Sequence, residues 1–331
     1  MNYQLLPKIE LHLHLDCSLS YKVVQAINPA ISWDEYQESF IAPPKCTDLM
    51  DYLKRAVKGF ELMQTKEQLR LITLDLMEQL KEDGVIYAEI RFAPLLHIAG
   101  GLLPEEVVAT VIDATNEGII QTGVEARLIL CTLRQYNEAQ SMQTAKLAAR
   151  FKNTLVAGFD VAGDEAGYPV TAHVAAFEYA KANHIAVTAH AGEACGAASV
   201  WQVLRNFHPQ RIGHGVRSVE DEALLQHLLE KSIHLEVCPT SNVQTNVVDT
   251  IHQHPADKIY QQGISMSVNT DCRTISNTTL CNEYELLAKE FHWNQSHFLR
   301  CNLEAINHAF CDDMLKEVLK NKIVEFYKHL K

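Results

Sequence analysis

The sequence lacks several features that would assign it to other classes of protein. It has no apolar run approaching the roughly 20 residues that span a membrane, and no Cys-x-x-Cys pair. Its nine cysteines are an odd number without a small-domain framework, which favours reduced thiols over disulfides or a structural zinc ribbon. No charged segment followed by an apolar stretch opens the chain, so we expect a cytoplasmic protein.

Positive charge is also scarce, since 29 lysines and arginines face 41 aspartates and glutamates, for a formal net charge of −12. This balance, without a basic stripe carrying interleaved aromatic residues, argues against nucleic acid as a partner. No membrane partner is expected either. The 331 residues have 47% hydrophobic content and no low-complexity tract, which is enough for a large core.

Eight short apolar runs predict β-strands, and segments with helical periodicity lie between most of them. The predicted strands cover residues 9–15, 86–93, 126–132, 155–161, 186–190, 211–214, 234–238 and 264–269. Strands that alternate with helices form parallel sheets, and eight of them predict an α/β fold of the (β/α)8, or TIM, barrel type. Residues 1–331 are therefore predicted to form one domain.

Two parts of the chain do not follow this repeat. Residues 26–65, between the first two strands, are too long for a simple connection, and in a barrel this loop lies on the catalytic face. We predict a helical insertion there that acts as a lid or pocket wall. Apolar residues at helical spacing would form its hydrophobic wall, namely Leu49, Tyr52, Leu53 and Phe60. The tail, residues 284–330, is predicted to be a helical extension packed outside the barrel.

Polar residues end several of the predicted strands. His12 and His14 are two residues apart, so a strand places both side chains on one face. His190 ends the fifth strand and Asp271 follows the eighth. Because the carboxyl ends of all barrel strands face one mouth, these side chains can meet there. Three imidazole nitrogens and a carboxylate suit a zinc ion that keeps one position open for water, so we predict one zinc ion per chain.

Glu193 and His214 lie near the same strand ends. Glu193 follows His190 across a glycine turn, where a carboxyl group is better placed as a proton donor than as a metal ligand. His214, between two glycines, can approach the bound water. Seen alone, the two residues would be a solvated carboxylate and a capping histidine. A second His-x-His pair, His252 and His254, lies in a polar loop, and we predict no functional role for it.

Six motifs taken together resemble those of adenosine deaminases, the adenosine and adenine deaminase branch of the amidohydrolase superfamily, in their order and spacing. They are His12-Leu-His14-Leu-Asp16, Gly158-Phe-Asp160-Val-Ala-Gly163-Asp164-Glu165, His190-Ala-Gly-Glu193, Arg211-Ile-Gly-His214-Gly, Cys238-Pro239-x-Ser241-Asn242 and Asn269-Thr-Asp271. The resemblance extends over residues 8–322. His-x-His alone would indicate only the wider amidohydrolase group, whereas residues 162–165 together with 190–193 are much more specific.

The resemblance implies zinc-dependent hydrolysis of adenosine and 2′-deoxyadenosine to inosine and 2′-deoxyinosine, with release of ammonia, as in purine salvage. It implies zinc ligands at His12, His14, His190 and Asp271. Glu193 would protonate purine N1, while His214 orients the hydroxide that attacks C6 and Asp271 accepts its proton. The substrate-binding residues implied in the same way are His14, Asp16 at the ribose, Gly163 at N3 and Cys272 at N7.

Two positions depart from the family pattern. Cys17 stands where glycine is common, and Cys272 stands where a second aspartate is common. A thiol is a weak donor, so N7 recognition could come from Cys272, from a bridging water, or from Arg273 and Asn277 reshaping the pocket. We expect catalysis to persist, with altered affinity or purine preference. Metal binding by Cys17, Cys195 or Cys272 is a competing interpretation, although packed or pocket-lining thiols are expected.

Other functions fit parts of the sequence. A cytidine-deaminase-like enzyme would need a Pro-Cys-x-x-Cys motif, which is absent. A binuclear amidohydrolase would need a bridging group, usually a modified lysine, but residues 157–161 contain none. An adenine deaminase, or a deaminase of a modified adenosine, would share the metal chemistry, and Asp16 with residues 163–165 favours a nucleoside. A catalytically inactive barrel that serves as a binding protein is the alternative from a different class.

Four more polar residues lie near strand ends. Glu89 and Arg91 either reach the mouth of the barrel or form a buried ion pair that stiffens it. Asp160 and Ser241 are expected to support metal ligands, because a hydrogen bond from behind fixes the tautomer of an imidazole.

Overall fold

The computed structural model describes residues 2–329 and contains eight parallel β-strands in the order β1 to β8. The strands are β1 (Lys8–His14), β2 (Val85–Phe92), β3 (Glu125–Leu133), β4 (Val156–Ala162), β5 (Ala186–Ala191), β6 (Arg211–His214), β7 (His234–Val237) and β8 (Met266–Val268). Helices connect them on the outside. The prediction of a (β/α)8 barrel is therefore confirmed, with strand ends that differ by one or two residues.

The barrel closes where the chain after β8 returns to β1. Asp271 forms a parallel bridge with Leu13. The amide of His14 donates to the carbonyl of Asp271 at 2.8 Å, and the amide of Asp271 donates to the carbonyl of His12 at 2.9 Å. Closure of the barrel thus places the polar end of β8 directly beside the polar end of β1.

Fourteen α-helices surround the strands in the described part of the chain. They are α1 (Tyr21–Ile27), α2 (Trp33–Phe40), α3 (Leu49–Glu61), α4 (Lys66–Glu82), α5 (Pro104–Thr122), α6 (Glu138–Arg150), α7 (Val174–Ala182), α8 (Ala197–Phe207), α9 (Glu222–Glu230), α10 (Pro239–Gln244), α11 (Ala256–Gln261), α12 (Leu280–Phe291), α13 (Gln295–His308) and α14 (Asp313–His329). Local chemistry sets their ends: Thr65 and Gln68 form a capping box before α4, and Gly123 ends α5 with φ 72°. None of these helices could span a membrane.

Apolar side chains join the helices to the outer face of the barrel. Phe159 of β4 contacts Phe177 of α7, which stacks on Phe207 of α8, with ring centroids 4.8 and 3.8 Å apart. All three rings are buried. Full burial of a side chain of this size stabilises a fold by about 1.5–3 kcal/mol. Contacts of this kind hold the ends of β4 and β5, which carry functional groups, in fixed positions.

Helices α1 to α3 form the predicted insertion after the first strand and cover part of the mouth. The amide of Ala42 donates to the carbonyl of Ile275, in the loop after β8, at 2.8 Å. The hydroxyl groups of Tyr52 in α3 and Ser276 in the same loop lie 2.7 Å apart. The insertion is therefore a wall of the mouth, while its action as a moving lid stays a prediction.

The predicted C-terminal extension consists of α12 to α14 and is confirmed as far as His329; residue 330 lies outside the described residues. It docks on the barrel through α13. The side-chain oxygen of Asn302 accepts the amide hydrogen of Ile9 in β1 at 2.7 Å, and both residues are buried.

Charged side chains fill the interior of the barrel next to the mouth. Arg91 donates to Asp160 at 2.8 Å and to Glu236 at 2.7 Å. Arg211 pairs with Glu89 at 2.6 Å and with Glu236 at 2.7 Å. All five side chains are fully buried. Glu89 and Arg91 thus form buried ion pairs, which was one of the two predicted alternatives, but each does so with a partner on another strand.

Candidate active site

Four histidines and an aspartate converge at the mouth of the barrel. Ligand atoms of His12, His190, His214 and Asp271 all lie within 4.8 Å of one another, and the four residues are buried. Nε2 of His14 lies 3.2 Å from Nε2 of His190 and 3.5 Å from Oδ1 of Asp271. The four predicted metal ligands therefore share one cavity, and His214 lies beside them.

Carboxylates behind two of the imidazoles decide which nitrogen faces this cavity. Nδ1 of His12 lies 2.8 Å from Glu236, and Nδ1 of His190 lies 3.0 Å from Asp160. Because a carboxylate only accepts, each neutral imidazole carries its hydrogen on Nδ1 and presents Nε2 as a lone pair. Within residues 2–329, Nε2 of His12 is buried without a hydrogen-bond partner. The predicted supporting contact from Asp160 is confirmed.

The separations between these acceptor atoms fit a metal ion. Ligands bound tetrahedrally at about 2.0–2.1 Å lie about 3.3 Å from one another. The Nε2 atoms of His14 and His190 are 3.2 Å apart, and Nε2 of His12 is 3.3 Å from Oδ1 of Asp271. The Nε2 lone pairs of His12 and His190 and the carboxylate of Asp271 all point into the same space, where a cation would be attracted to each of them. The cluster therefore fits a buried metal ion.

Asp271 is oriented toward this cluster by its backbone and by a neighbour. Its φ of 63° lies in the left-handed region, which aspartate tolerates better than most residues. The hydroxyl of Ser241 donates to Oδ2 at 2.7 Å, as predicted, so Oδ1 faces the histidines.

Gly213 allows two of the imidazoles to approach each other across β6. A Cβ atom at this position would lie 2.9 Å from Cε1 of His12 and 3.2 Å from Cα of His190. We expect Gly213→Ala to displace His12 and to weaken metal binding by about 10–100-fold, as a misplaced ligand does. Metal content after dialysis against graded chelator concentrations measures this. Wild-type metal retention by a correctly folded variant would contradict the close packing.

Glu193 lies at the same mouth, with Oε2 3.5 Å from Nε2 of His214. Only 4% of the residue is exposed, and Oε1 has no hydrogen-bond partner among the described residues. Burial, together with the charge of Asp271, raises the pKa of the Glu193 carboxyl well above its ordinary value. The carboxyl group therefore keeps its proton to higher pH than an exposed glutamate does, which suits a proton donor.

A second carboxylate, that of Glu165, holds the turn that carries Glu193. Its oxygens accept hydrogen bonds from the amides of Gly192 (2.7 Å), Glu193 (3.0 Å) and Cys195 (2.9 Å) and from the hydroxyl of Ser199 (2.5 Å). These four bonds satisfy the backbone of a turn that would otherwise carry free amides. They fix the position from which the Glu193 side chain enters the mouth.

His214 ends β6 between Glu193 and the metal-ligand cluster. Burial lowers the pKa of its imidazole well below the usual value, so the ring is neutral. Its Nδ1 faces the side-chain amide of Asn242 at 3.1 Å, and its Nε2 faces Glu193. The residue is therefore at the predicted place, next to both groups with which it would act.

A cavity of about 290 Å³ opens beside the metal-ligand cluster. Its lining includes His14, Asp16 and Gly163, three of the four residues predicted to bind substrate. On the opposite side it is lined by Leu53 and Phe60 of α3, which confirms the predicted hydrophobic wall for these two residues. The cavity is thus polar at the metal end and apolar toward the insertion.

Cys272 lies behind the wall of this cavity, packed with Leu49, Tyr52 and Cys17. Tyr52, predicted as part of the wall, belongs to this buried cluster instead, while Leu49 belongs to it and also lines a neighbouring cavity together with Glu193. The Cys272 thiol contacts the Cys17 thiol and the Tyr52 hydroxyl, and burial raises its pKa well above the ordinary value. Cys17 lines the cavity and Cys272 does not, so contact between Cys272 and purine N7 stays a prediction.

Two residues considered for the same part of the pocket lie elsewhere. Arg273 turns away from the cavity and pairs with Glu10 at 2.7 Å and with Asp83 at 2.8 Å. Asn277 is exposed. The suggestion that they reshape the pocket is therefore wrong, because buried carboxylates draw the guanidinium group away. No cysteine of the described chain belongs to the metal-ligand cluster, which also argues against Cys195 as a ligand.

Three residues that support the site were not predicted to do so. Glu236 is fully buried and lies in the short strand β7. A charged residue within a predicted buried strand is unusual, and this could have indicated its supporting role. Glu165 lies in a quoted motif and received no role. His254 was assigned to a polar loop but is only 3% exposed, whereas the side chain of its neighbour His252 is 83% exposed and contacts Glu290. Spacing along the chain did not distinguish the two histidines.

Comparison with known proteins agrees with this geometry. A family model described as adenosine deaminase matches residues 7–326. The chain is 35% identical to an adenosine deaminase of Clostridium acetobutylicum over 96% of this chain and 97% of that relative. An adenine deaminase structure from Arthrobacter aurescens has a TM-score of 0.90 at 26% identity, covering 97% of this chain and 99% of that one.

A zinc-bound amidohydrolase structure from Burkholderia ambifaria shares the fold, with a TM-score of 0.91 at 22% identity over 98% of this chain and 92% of that one. The family match spans the barrel, the insertion and nearly all of the C-terminal extension. The resemblance inferred from the sequence motifs is confirmed. The chain belongs to the adenosine deaminase family.

Proposed function

We propose that this protein is a zinc-dependent deaminase that hydrolyses adenosine and 2′-deoxyadenosine to inosine and 2′-deoxyinosine. One observation carries the proposal: the buried carboxyl group of Glu193 lies beside a cluster of side chains that could hold a metal ion. Addition to purine C6 removes the aromaticity of the ring, so the reaction requires a nucleophile at C6 and a proton at N1 of the same ring. Relatives named adenosine deaminase, matched over nearly their whole length, support this choice.

The metal site supplies the nucleophile. We propose that it consists of His12, His190 and Asp271 of the buried cluster together with the half-buried His14, whose Nε2 lies 3.2 Å from Nε2 of His190. A zinc ion held there would lower the pKa of a water molecule and make hydroxide available near neutral pH. The choice of zinc is supported by the donor set, because three imidazoles and one carboxylate suit zinc better than the harder cations.

The side chains around that site move the protons. Glu193 donates its proton to N1 as the oxygen adds to C6, so that charge does not accumulate on the ring. His214 orients the attacking water through a hydrogen bond from Nε2, and Asp271 accepts the proton that this water releases. Asp271 then passes the proton from the water to the 6-amino group, the C6–N bond breaks, and ammonia leaves. The C6 hydroxyl gives its proton back to Glu193 as the C6 carbonyl forms, and the product keeps the hydrogen on N1. Hydroxyl and amino groups are thereby exchanged with no redox change.

Asp16 supports a nucleoside as substrate. It lines the cavity, with Oδ1 3.9 Å from Nδ1 of His14 and Oδ2 3.8 Å from Nε2 of His97. Neither separation is a hydrogen bond. Oδ1 accepts a weak hydrogen bond from the Cys17 thiol at 3.8 Å, which leaves acceptor capacity on the carboxylate for a ligand. Burial raises the pKa of the Asp16 carboxyl to about 6, which leaves it largely ionised at neutral pH. An ionised acceptor at the cavity wall fits the hydroxyl groups of a ribose.

Asp16→Asn provides the test that separates a nucleoside from a free base. We expect kcat/KM for adenosine to fall by about 10–100-fold, because one hydrogen bond to a charged group is worth about 1.5–3 kcal/mol. The rate with adenine, which has no ribose, should not change. Ammonia release measured with adenosine, 2′-deoxyadenosine and adenine gives both values in one experiment.

The rival function is an adenine deaminase or a deaminase of a modified adenosine. The adenine deaminase structure, at 26% identity, favours keeping it as the second candidate. An adenine deaminase would prefer adenine over adenosine, and Asp16→Asn would affect both substrates alike. A deaminase of a modified adenosine would prefer that nucleoside over adenosine, and Asp16→Asn would lower the rates with both nucleosides. Purine salvage follows from the proposed substrates, and a cytoplasmic location remains an expectation from the sequence.

A further inference from the structure

His214 presents a problem of coordination chemistry. Its ligand atom lies within 4.8 Å of those of His12, His190 and Asp271, so a metal could bind it as well. A fourth imidazole would occupy the position that the attacking water needs. His12 and His190 present lone pairs because carboxylates hold their Nδ1 hydrogens. His214 has no carboxylate behind it, and its Nδ1 faces Asn242 instead.

The hydrogen positions behind His214 can be followed from a backbone amide. The amide of Ala256, the first residue of α11, donates to Nδ1 of His254 at 3.1 Å. A neutral imidazole whose Nδ1 accepts must carry its hydrogen on Nε2. Nε2 of His254 therefore donates to Oδ1 of Asn242 at 3.2 Å.

This contact fixes which way the Asn242 amide points. With Oδ1 held by His254, Nδ2 of Asn242 faces Nδ1 of His214 at 3.1 Å and donates to it. Nδ1 of His214 is then an acceptor, so its single hydrogen lies on Nε2, inside the mouth. The side chain is a hydrogen-bond donor there and has no lone pair to offer a metal.

The three side chains in this series of hydrogen bonds are buried, which supports a single assignment of their hydrogens. His254 is 3% exposed, His214 is 1% exposed and Asn242 is fully buried. Burial lowers the pKa of His254 to about 3, so the ring is neutral. Ala256 begins a helix, where the first amides lack intrahelical partners, and His254 satisfies one of them. The first amide of α11 therefore sets the tautomer of His214 through the side chains of His254 and Asn242.

We propose that His254, acting through Asn242, is a positioning residue that fixes the Nε2–H tautomer of His214 and so keeps His214 a hydrogen-bond donor and not a metal ligand. The catalytic consequence rests on the proposed function. The tautomer assignment does not, because it follows from hydrogen bonds alone. No role for His254 is implied by the motifs in the sequence.

The direct test is the tautomer of each ring in zinc-loaded full-length protein, read from histidine ring ¹⁵N signals by NMR. We expect the hydrogen on Nε2 in both His214 and His254 and on Nδ1 in His12 and His190. A hydrogen on Nδ1 of His214 or of His254 in the wild-type protein would overturn the proposal. This measurement needs no substrate, so its outcome is separate from that of the deaminase assay.

Two substitutions at His254 test the consequence. His254→Leu leaves Oδ1 of Asn242 without its donor, so the amide can turn and His214 can adopt the Nδ1–H form. We expect this form to appear in the spectrum and kcat to fall about 10–100-fold, as for other residues that support ligands from behind. Removal of the metal by a chelator should become slower, because His214 can then bind it.

His254→Gln restores both hydrogen bonds, since its amide can accept from Ala256 and donate to Asn242. We expect a kcat within about threefold of wild type and an unchanged His214 spectrum. His252→Leu, at the exposed histidine two residues away, is the matched control and should leave all readouts unchanged. Equal losses in the Leu and Gln variants, or faster metal loss in the Leu variant, would show that His254 only fills space, and the proposal would be wrong.

Discussion

Replacing Glu193 with glutamine is expected to reduce kcat for adenosine by about 10³-fold or more while bound metal stays at the wild-type level. General acid catalysis contributes about 10²–10⁴-fold, and an amide nitrogen cannot give up a proton to purine N1. Glutamine has nearly the same shape, and Glu193 is 3.5 Å from His214 and is not a metal ligand. Metal analysis and steady-state kinetics on the same sample measure both quantities.

The pH dependence provides the control for this substitution. Because burial raises the pKa of the Glu193 carboxyl, the active protonated form persists to higher pH than in an exposed glutamate and is lost as the pH rises through that raised pKa. The wild-type kcat should therefore fall on the alkaline side, and the residual activity of the glutamine variant should not show that limb. Substantial turnover by the variant, with an unaltered pH profile, would remove Glu193 from the mechanism.

Replacing His190 with alanine is expected to abolish both metal binding and activity. His190 faces His14 across 3.2 Å and is oriented by Asp160, so its loss removes one ligand and leaves the others too few to hold the ion. Metal content should fall below about a tenth of the wild-type value, and kcat/KM should fall by more than about 10³-fold, since the hydroxide source is lost. Elemental analysis and ammonia release give the two values.

A histidine outside the cluster serves as control for that loss. His252→Ala removes an exposed imidazole that contacts Glu290 on the surface, and it should change neither the metal content nor the rate. If His190→Ala keeps its metal, the ion is held by another set of side chains. The assignment of the mouth cluster as the metal site would then be wrong.

Much of the barrel could be predicted because strand periodicity and helix periodicity differ. Buried parallel strands appear as short apolar runs, and β1 to β7 begin and end within about two residues of such runs. β8 was predicted too long, since the polar chain after Met266–Val268 leaves the sheet and returns only as the bridge at Asp271. The register between strands could not be predicted from periodicity, although it decides where His12 meets Asp271.

The site was predictable where topology alone brings residues together. In a (β/α)8 barrel every strand delivers its carboxyl end to one mouth, so His12, His14, His190 and Asp271 had to converge. The same rule does not predict which side chains hydrogen-bond to the cluster histidines on the side away from the mouth. The carboxylate of Glu236 reaches His12 from β7 because both fill the barrel interior, and no motif joins them in the sequence. His254 reaches His214 only through Asn242 and the start of α11.

The pocket around the substrate was predicted less well than the metal ligands. Side chains at helical spacing in α3 divide between the cavity and the buried cluster according to small rotations of the helix, which a sequence does not fix. Leu53 and Phe60 face the cavity beside His14, Leu49 lines the neighbouring cavity beside Glu193, and Tyr52 faces neither. Arg273 was drawn to buried carboxylates that lie far from it in sequence. Long-range partners of this kind are set by the completed fold.

The most direct test of the central claim is ammonia release from adenosine by one preparation of the protein before chelation, after chelation, and after zinc is added back, with metal content determined each time. We expect activity to follow metal content, to vanish in the metal-free protein, and to return fully at about one zinc per chain. Undiminished activity in metal-free protein, or a fully loaded protein that releases no ammonia from adenosine, 2′-deoxyadenosine or adenine, would contradict the account.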